Sequence, residues 1–271
     1  MNRLQNTFKQ LKNQNKTALI SFITAGDPDY QTSMEILNKL PENGADIIEL
    51  GIPFLDPAGD GPIIEAASKR AIENGMNLKK LLQMVTDFRK NNQHTPIILM
   101  GYYNPILHFG MEKFTAAAKD SGVDGILIVD LPPEEDTDLK ILTDKNQLDL
   151  IKLITPTSDQ KRIEKITSHA SGFLYFVSVL GITGTKSSNV DDNKKSVAKI
   201  KKISNLPIVI GFGIKQPHQA KEMTETKADG IVVGSALVTI IAEGIKNKSD
   251  KKQICANLLN KTKDFNNALN S

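Results

Sequence analysis

Two carboxylates lie close together in a segment whose composition opposes regular structure. The apolar pair Ile47-Ile48 leads directly into Glu49, so this glutamate lies where a buried strand is ending. Repeated glycines and prolines between residues 51 and 62 then predict a loop, which contains Asp56 and Asp60. A carboxylate at the end of a strand and one on the following loop can differ in burial, which separates their pKa values. One group can then donate a proton while the other stays an anion, so the segment predicts an acid/base site.

Each carboxylate also has a purely structural interpretation. Glu49 could form an ion pair with a lysine on the next strand. Asp60 could cap a helix that begins at Pro62, because a carboxylate there accepts hydrogen bonds from free backbone N–H groups. Both interpretations remain open from spacing alone.

Glycine-rich turns elsewhere in the chain predict a phosphate site. Gly211-Phe-Gly213 and Gly234-Ser235 each follow an apolar run, the second opens a helix, and Gly181-Ile-Thr-Gly184 adds a third turn. Glycine lets backbone N–H groups approach an anion, and a helix N-terminus adds partial positive charge. Ser235 would donate its hydroxyl and its backbone N–H. The same glycines could instead only make tight turns.

Composition narrows the class of protein. The net charge is +3 and aromatic residues make up 5% of the chain, which is a weak footprint for nucleic-acid binding. No apolar run approaches the roughly 20 residues of a membrane span. A single cysteine, Cys255, excludes an internal disulfide and favours a reducing, cytoplasmic location. The four histidines are too scattered to predict a metal site.

Short apolar runs alternate with helical patterns along the whole chain. The predicted strands cover residues 18–24, 46–50, 97–101, 125–129, 150–154, 173–177, 208–211 and 230–234. Helix start signals predict helices at 30–40, from Pro133 to Leu142, from Asp159 through Ile166, from about Asp191 to Ile203 and from Pro217. Extra helices fit at the N-terminus, at 78–89 and at 251–269.

This alternation is typical of an α/β fold, and we expect a single (β/α)8 TIM barrel over residues 1–271. The alternative is an open doubly wound sheet, but no glycine-rich dinucleotide fingerprint follows the first strand. In a barrel the site gathers at the C-terminal ends of the strands. Apolar residues at those ends could fill the core or form a pocket for a flat aromatic group: Phe22, Met100, Leu127, Leu153 and Phe212.

Motifs over essentially the whole chain resemble the tryptophan synthase alpha subunit, the indole-3-glycerol-phosphate lyase. They are Phe22-Ile-Thr-Ala-Gly-Asp-Pro28, Glu49-Leu-Gly-Ile-Pro-Phe54, Asp56-Pro57, Asp60-Gly-Pro62, Tyr102-Tyr-Asn-Pro-Ile106, Asp130-Leu-Pro-Pro-Glu-Glu135, Gly181-Ile-Thr-Gly184, Gly211-Phe-Gly-Ile214 and Val233-Gly-Ser-Ala-Leu-Val238. The resemblance implies a lyase of L-tryptophan biosynthesis that cleaves indole-3-glycerol phosphate to indole and glyceraldehyde 3-phosphate without a cofactor.

The resemblance also implies residue roles. Glu49 would move the proton at the indole ring, and Asp60 would hold the indole N–H. Tyr175 would lie beside the glycerol chain, and Thr183 would meet Asp60 when its loop closes. The phosphate would bind Gly184, Gly213, Gly234 and Ser235.

The family works as an α2β2 heterotetramer, so the resemblance implies a beta-subunit partner that holds pyridoxal phosphate. Contacts are expected at the loop from Pro53 to Asp60, at Asn104-Pro105 and from Asp130 to Pro132. Four residues depart from the pattern and bear on loop order and partner affinity: Leu55, Gly59, Glu65 and Leu180. The alternative functions are another isomerase or synthase on a phosphate-binding barrel, and a regulatory subunit without activity.

Overall fold

The structure, a computed structural model, describes residues 2–178, 186–211 and 213–270, with the side chains of 186–189 excepted. Its strands are β1 (Ala18–Thr24), β2 (Ile47–Gly51), β3 (Ile97–Gly101), β4 (Gly125–Ile128), β5 (Asp149–Ile154), β6 (Leu174–Val177), β7 (Ile208–Gly211) and β8 (Gly230–Val233). They form one closed parallel barrel in sequence order, with β8 pairing back onto β1. The predicted TIM barrel is confirmed, and the open sheet is wrong.

Helices surround the strands. They are α1 (Arg3–Asn13), α2 (Tyr30–Lys39), α3 (Pro62–Glu73), α4 (Leu78–Arg89), α5 (Tyr103–Phe109), α6 (Met111–Ser121), α7 (Thr137–Lys145), α8 (Gln160–His169), α9 (Lys186–Lys201), α10 (Pro217–Thr224), α11 (Ser235–Lys246) and α12 (Lys251–Leu269). Among the described residues, none of these helices combines the length and the apolar character needed to cross a bilayer.

Capping side chains set several helix starts where the sequence predicts them. Asp29 accepts hydrogen bonds from the backbone N–H groups of Gln31 and Thr32 at the start of α2. Asp159 accepts one from Arg162 N at 2.7 Å, which fixes the start of α8. These carboxylates satisfy N–H groups that have no partner within the helix.

Three helix predictions are wrong in their bounds by more than one residue, and of these α8 ends at His169 rather than Ile166. α7 begins at Thr137 rather than Pro133, because the chain turns there: Glu135 N donates to Pro132 O, and Glu134 pairs with Arg162 and Lys165 of α8. α9 begins at Lys186 and ends at Lys201, earlier at both ends than the predicted span from about Asp191 to Ile203. The strand bounds differ from the prediction by at most one residue.

The barrel has a filled interior that is closed at one end. Inward-facing side chains of the strands pack with Leu4 and Phe8 of α1. The ring of Phe8 meets that of Phe173 edge to face, with 5.8 Å between the ring centroids. Asn2 and Arg3 bind Asp149 and Asp124, which lie at the starts of β5 and β4. α1 therefore closes the N-terminal end of the barrel and leaves the opposite mouth, where the βα loops meet, for a site.

Candidate active site

Glu49 lies inside the barrel, where its side chain is buried. It pairs in register with Phe22 of β1 and Ile98 of β3, and its residue is 1% exposed. Neither carboxyl oxygen has a hydrogen-bond partner among the described residues. Burial, with a smaller contribution from the negative charge of Asp60, raises the pKa of Glu49 to about 8. This carboxyl group therefore holds a proton at neutral pH, and the ion-pair interpretation finds no support in the described part of the chain.

Asp60 lies at the mouth, on the loop between β2 and α3. The N-cap of α3 is Gly61 and no side chain caps that helix, so the interpretation of Asp60 as the helix cap is wrong. Burial raises the pKa of Asp60, a hydrogen bond from Tyr102 lowers it, and the charge of Glu65 raises it, with a net rise. Glu65, one of the departures from the family pattern, thus acts on Asp60 directly.

Tyr102 is a site residue that the sequence analysis did not select. Its hydroxyl hydrogen-bonds the Asp60 carboxyl and accepts a hydrogen bond from Gly59 N at 3.0 Å. Its ring lies 5.4 Å from that of Phe54. Burial is the largest cause that raises the pKa of Tyr102 to about 12, so the hydroxyl keeps its proton and can donate it to Asp60. Two signals in the sequence pointed to it: its position directly after β3 and its place in the motif Tyr102-Tyr-Asn-Pro-Ile106.

A pocket at the mouth brings some of the predicted apolar residues to Asp60. Phe22, Met100 and Asp60 line it, together with Thr24, Gly51, Ile52, Ile64, Ser68, Gly101, Tyr102 and Val129. Leu127 lies deeper, fully buried in the barrel interior, and does not line this pocket. These side chains form a largely apolar wall with a polar edge at Asp60 and Tyr102.

Tyr175 of β6 is buried deep in the barrel and lies within the electrostatic reach of Glu49. Burial, with a smaller contribution from the charge of Glu49, raises the pKa of Tyr175 well above its usual value. Gly211 of β7 makes room for the ring: a Cβ there would lie 2.0 Å from the Tyr175 hydroxyl oxygen. The position of Tyr175 therefore depends on the absence of a side chain at 211.

Two of the three turns predicted to hold phosphate contain described residues. Gly213 has φ of +80°, a conformation that favours glycine. Gly234 is the N-cap of α11, Ser235 is the first residue of that helix, and both are half-buried. A Cβ at Gly234 would lie 3.3 Å from Phe22, so this helix start borders the pocket wall. Thr183, Gly184 and Phe212, and the departure Leu180, lie outside the described residues.

His169 and Cys255 belong to the scaffold, whereas His94, His108 and His218 are exposed. His169 Nδ1 lies 2.7 Å from Asp136 Oδ1, and Lys152 pairs with the other oxygen of that buried carboxyl. Cys255 is buried in α12. Within the described ranges, no group of three His, Cys, Asp or Glu side chains is placed to hold a metal ion.

Comparison with known proteins decides the family. The family model described as "Tryptophan synthase alpha chain" matches residues 8–270. The chain belongs to the tryptophan synthase alpha chain family. It is similar to the tryptophan synthase alpha subunit of Legionella pneumophila str. Paris, with 38% identity, a TM-score of 0.91, and coverage of 100% of this chain and 99% of that one. A chain of tryptophan synthase from M. tuberculosis, in an open form with BRD0059 bound, is 29% identical with a TM-score of 0.87, covering 99% of each chain.

Membership of the tryptophan synthase alpha family fixes the reaction. The chain is a carbon–carbon lyase that cleaves indole-3-glycerol phosphate into indole and glyceraldehyde 3-phosphate for tryptophan synthesis. The alpha subunit needs no cofactor, and pyridoxal phosphate belongs to its partner, the beta subunit. The family is therefore not that of a different isomerase or synthase. It is also not that of a regulatory subunit without activity.

Proposed function

We propose that Glu49 and Asp60 divide the acid/base and electrostatic work of the lyase between them. The observation that supports this division most directly is the Glu49 carboxyl group, buried, unpaired within the described residues, and with its pKa raised to about 8. A buried neutral acid beside a more exposed carboxylate is the arrangement that separates the proton donor from the anion.

Glu49 delivers one proton to the substrate and removes another from it. Its carboxyl group protonates C3 of the indole ring, which turns the ring into a cation and a good leaving group. The resulting Glu49 carboxylate then removes the proton from the hydroxyl on the adjacent glycerol carbon. As that oxygen becomes the aldehyde, the carbon–carbon bond breaks and its electron pair returns to the ring. Indole and glyceraldehyde 3-phosphate leave, and Glu49 has regained its proton.

Asp60 acts as the anion. It accepts the indole N–H and stabilises the positive charge that spreads to this nitrogen when C3 is protonated. The hydrogen bond from Tyr102 opposes the effect of burial on Asp60, because it favours the charged form of the carboxyl group. Tyr102 is thus a positioning residue that holds Asp60 as an anion and ties the loop through Gly59 N.

The remaining predicted residues complete the substrate site. Phe22 and Met100 contact the indole ring, with Leu127 beneath them, and Tyr175 lies beside the glycerol chain. Gly213, in the loop after β7, and Gly234 and Ser235, at the start of α11, hold the phosphate through their backbone N–H groups, and Ser235 adds its hydroxyl. Contacts from Thr183, Gly184 and Phe212 stay predictions from the sequence.

The beta subunit docks on the same mouth in this proposal. Leu55 and Asp56 on the loop after β2, Asn104 at the start of α5, and Asp130 and Pro132 after β4 are all exposed. Leu55 on this loop is 61% exposed, so a partner docked here would cover it. The α2β2 stoichiometry, the single-domain organisation of residues 1–271 and the cytoplasmic location also stay predictions.

Indole release from indole-3-glycerol phosphate, with and without a beta subunit, tests the proposal. Asp60→Asn keeps a polar side chain but loses the charge, so we expect kcat to fall by about 100-fold and KM to change far less. Asp120→Asn, an exposed carboxylate of α6, is the matched control. Equal changes in kcat and KM would contradict the electrostatic role of Asp60.

A further inference from the structure

A buried hydroxyl group without a partner lies in the pocket beside Asp60. Thr24 is the last residue of β1 and is 1% exposed, and its hydroxyl oxygen has no hydrogen-bond partner among the described residues. An unpaired buried hydroxyl destabilises the folded chain, because it has lost water and gained nothing in return. Thr24 lines the same pocket as Asp60, where a bound molecule can supply the missing partner.

A second hydroxyl borders the same space. Ser68 of α3 is 4% exposed and also lines the pocket. The two elements that carry these hydroxyls are fixed to each other, because Arg70 of α3 binds Asp27, just after β1, through two hydrogen bonds of 2.8 and 2.9 Å. Thr24 and Ser68 are therefore held in fixed positions on the wall of one pocket, which they share with Asp60, Tyr102 and several apolar side chains.

The orientation of the substrate places one ring position near this pair. This step rests on the proposed function, in which Asp60 accepts the indole N–H. In indole, C7 is the carbon of the six-membered ring that lies on the same edge as the nitrogen. With the N–H directed at Asp60, a substituent on C7 points to the part of the pocket that borders Asp60.

We propose that Thr24 and Ser68 form a polar subsite for a hydrogen-bonding substituent on C7 of the indole ring. The enzyme then processes 7-hydroxyindole compounds in preference to 7-methylindole compounds of similar size. A methyl group would leave the Thr24 hydroxyl without a partner, and sites built to hydrogen-bond a group discriminate against analogues that lack it.

The reverse reaction offers a direct test, since substituted indoles can be condensed with glyceraldehyde 3-phosphate. The measured quantity is the ratio of kcat/KM for 7-hydroxyindole to that for 7-methylindole, with the full chain and beta subunit and no serine. We expect a ratio of about ten for the unaltered enzyme and a ratio within about twofold of one for Thr24→Val. Ser68→Ala lowers the ratio partly.

Thr262→Val is the matched control, because this threonine is equally buried, in α12, and its hydroxyl donates to Leu258 O at 3.0 Å. It should lower Tm and leave the ratio at about ten, whereas Thr24→Val should keep or raise Tm. A ratio near one in the unaltered enzyme, or a ratio that stays at ten in Thr24→Val, would overturn the subsite. Condensation of unsubstituted indole, together with the Asp60→Asn result, reports separately on the proposed function.

Discussion

The negative charge of Asp60 acts on the Glu49 carboxyl group across the mouth of the barrel and adds to the effect of burial on its pKa. The two carboxyl groups come from one segment of the chain, yet one lies inside the barrel and the other on the loop above it. Burial disfavours the charged form of Glu49, and the nearby negative charge of Asp60 adds to this effect, so the buried member keeps its proton. This relationship lets one short segment supply both an acid and an anion.

The raised pKa of Glu49 predicts how stability depends on pH. The folded chain holds this proton up to about pH 8, whereas the unfolded chain releases it near the ordinary value of 4.5. Between these values the folded state binds more protons, so the free energy of unfolding falls as pH rises, by at most about 1.4 kcal/mol per pH unit from this group.

Glu49→Gln removes that dependence, and its stability relative to the unaltered chain should increase steadily from about pH 5 to about pH 8. Urea unfolding of both proteins across this range measures the difference. Parallel curves would show that Glu49 titrates normally.

Tyr102→Phe should weaken the reaction and change its pH dependence. The hydroxyl lowers the pKa of Asp60, so its loss raises that pKa. The acid limb of kcat/KM should then move to higher pH, and kcat/KM near neutral pH should fall by about tenfold.

Tyr103→Phe is the control for this change, because that hydroxyl contacts Met111 Sδ rather than a site residue. A pH profile of kcat/KM for both variants measures the position of the acid limb. If Tyr102→Phe keeps the acid limb of the unaltered enzyme, its hydroxyl does not hold Asp60.

Gly59→Ala should stabilise the chain without distorting the site. Gly59 is not among the glycines with positive φ, and of the described residues a Cβ there would meet only Tyr102, at 3.4 Å from its hydroxyl oxygen. Since alanine restricts the unfolded chain, we expect the free energy of unfolding to rise by about 0.5 kcal/mol. Gly26→Ala should do the opposite, because Gly26 has φ of +81° and its Cβ would lie 2.8 Å from Met76. Denaturant unfolding compares the two, and a loss of stability in Gly59→Ala would contradict this view of the loop.

Local signals in the sequence were enough to predict most of the fold. α4 and α12 have the predicted bounds, because Asn77 and Asp250 cap them and apolar residues recur at helical spacing. The prediction for α7 was wrong because its decisive contacts are tertiary. Pro133-Glu134-Glu135 has the composition of a helix start, but Glu134 pairs with Arg162 and Lys165, about 30 residues away in the chain.

Some site residues could likewise be predicted from local signals, and others depend on tertiary contacts. Glu49 and Asp60 could be selected because a strand end and a glycine-rich loop are recognisable from local residue types. The role of Tyr102 could not be predicted from local residue types. Its hydrogen bonds to Gly59 and Asp60 join two βα loops that are brought together only when the barrel closes. The unpaired Thr24 hydroxyl likewise depends on packing, which no local pattern encodes.

Indole release by Glu49→Gln at neutral pH is the most direct test that the Glu49 carboxyl group transfers the proton in the lyase reaction. Glutamine has nearly the same shape and no ionisable proton, so the fold should persist while the proton transfer is lost. With the beta subunit present, we predict that kcat falls at least about 100-fold while Tm stays equal or rises. A Glu49→Gln variant that folds normally and releases indole at close to the unaltered rate would contradict the account, because the proton would then come from another group.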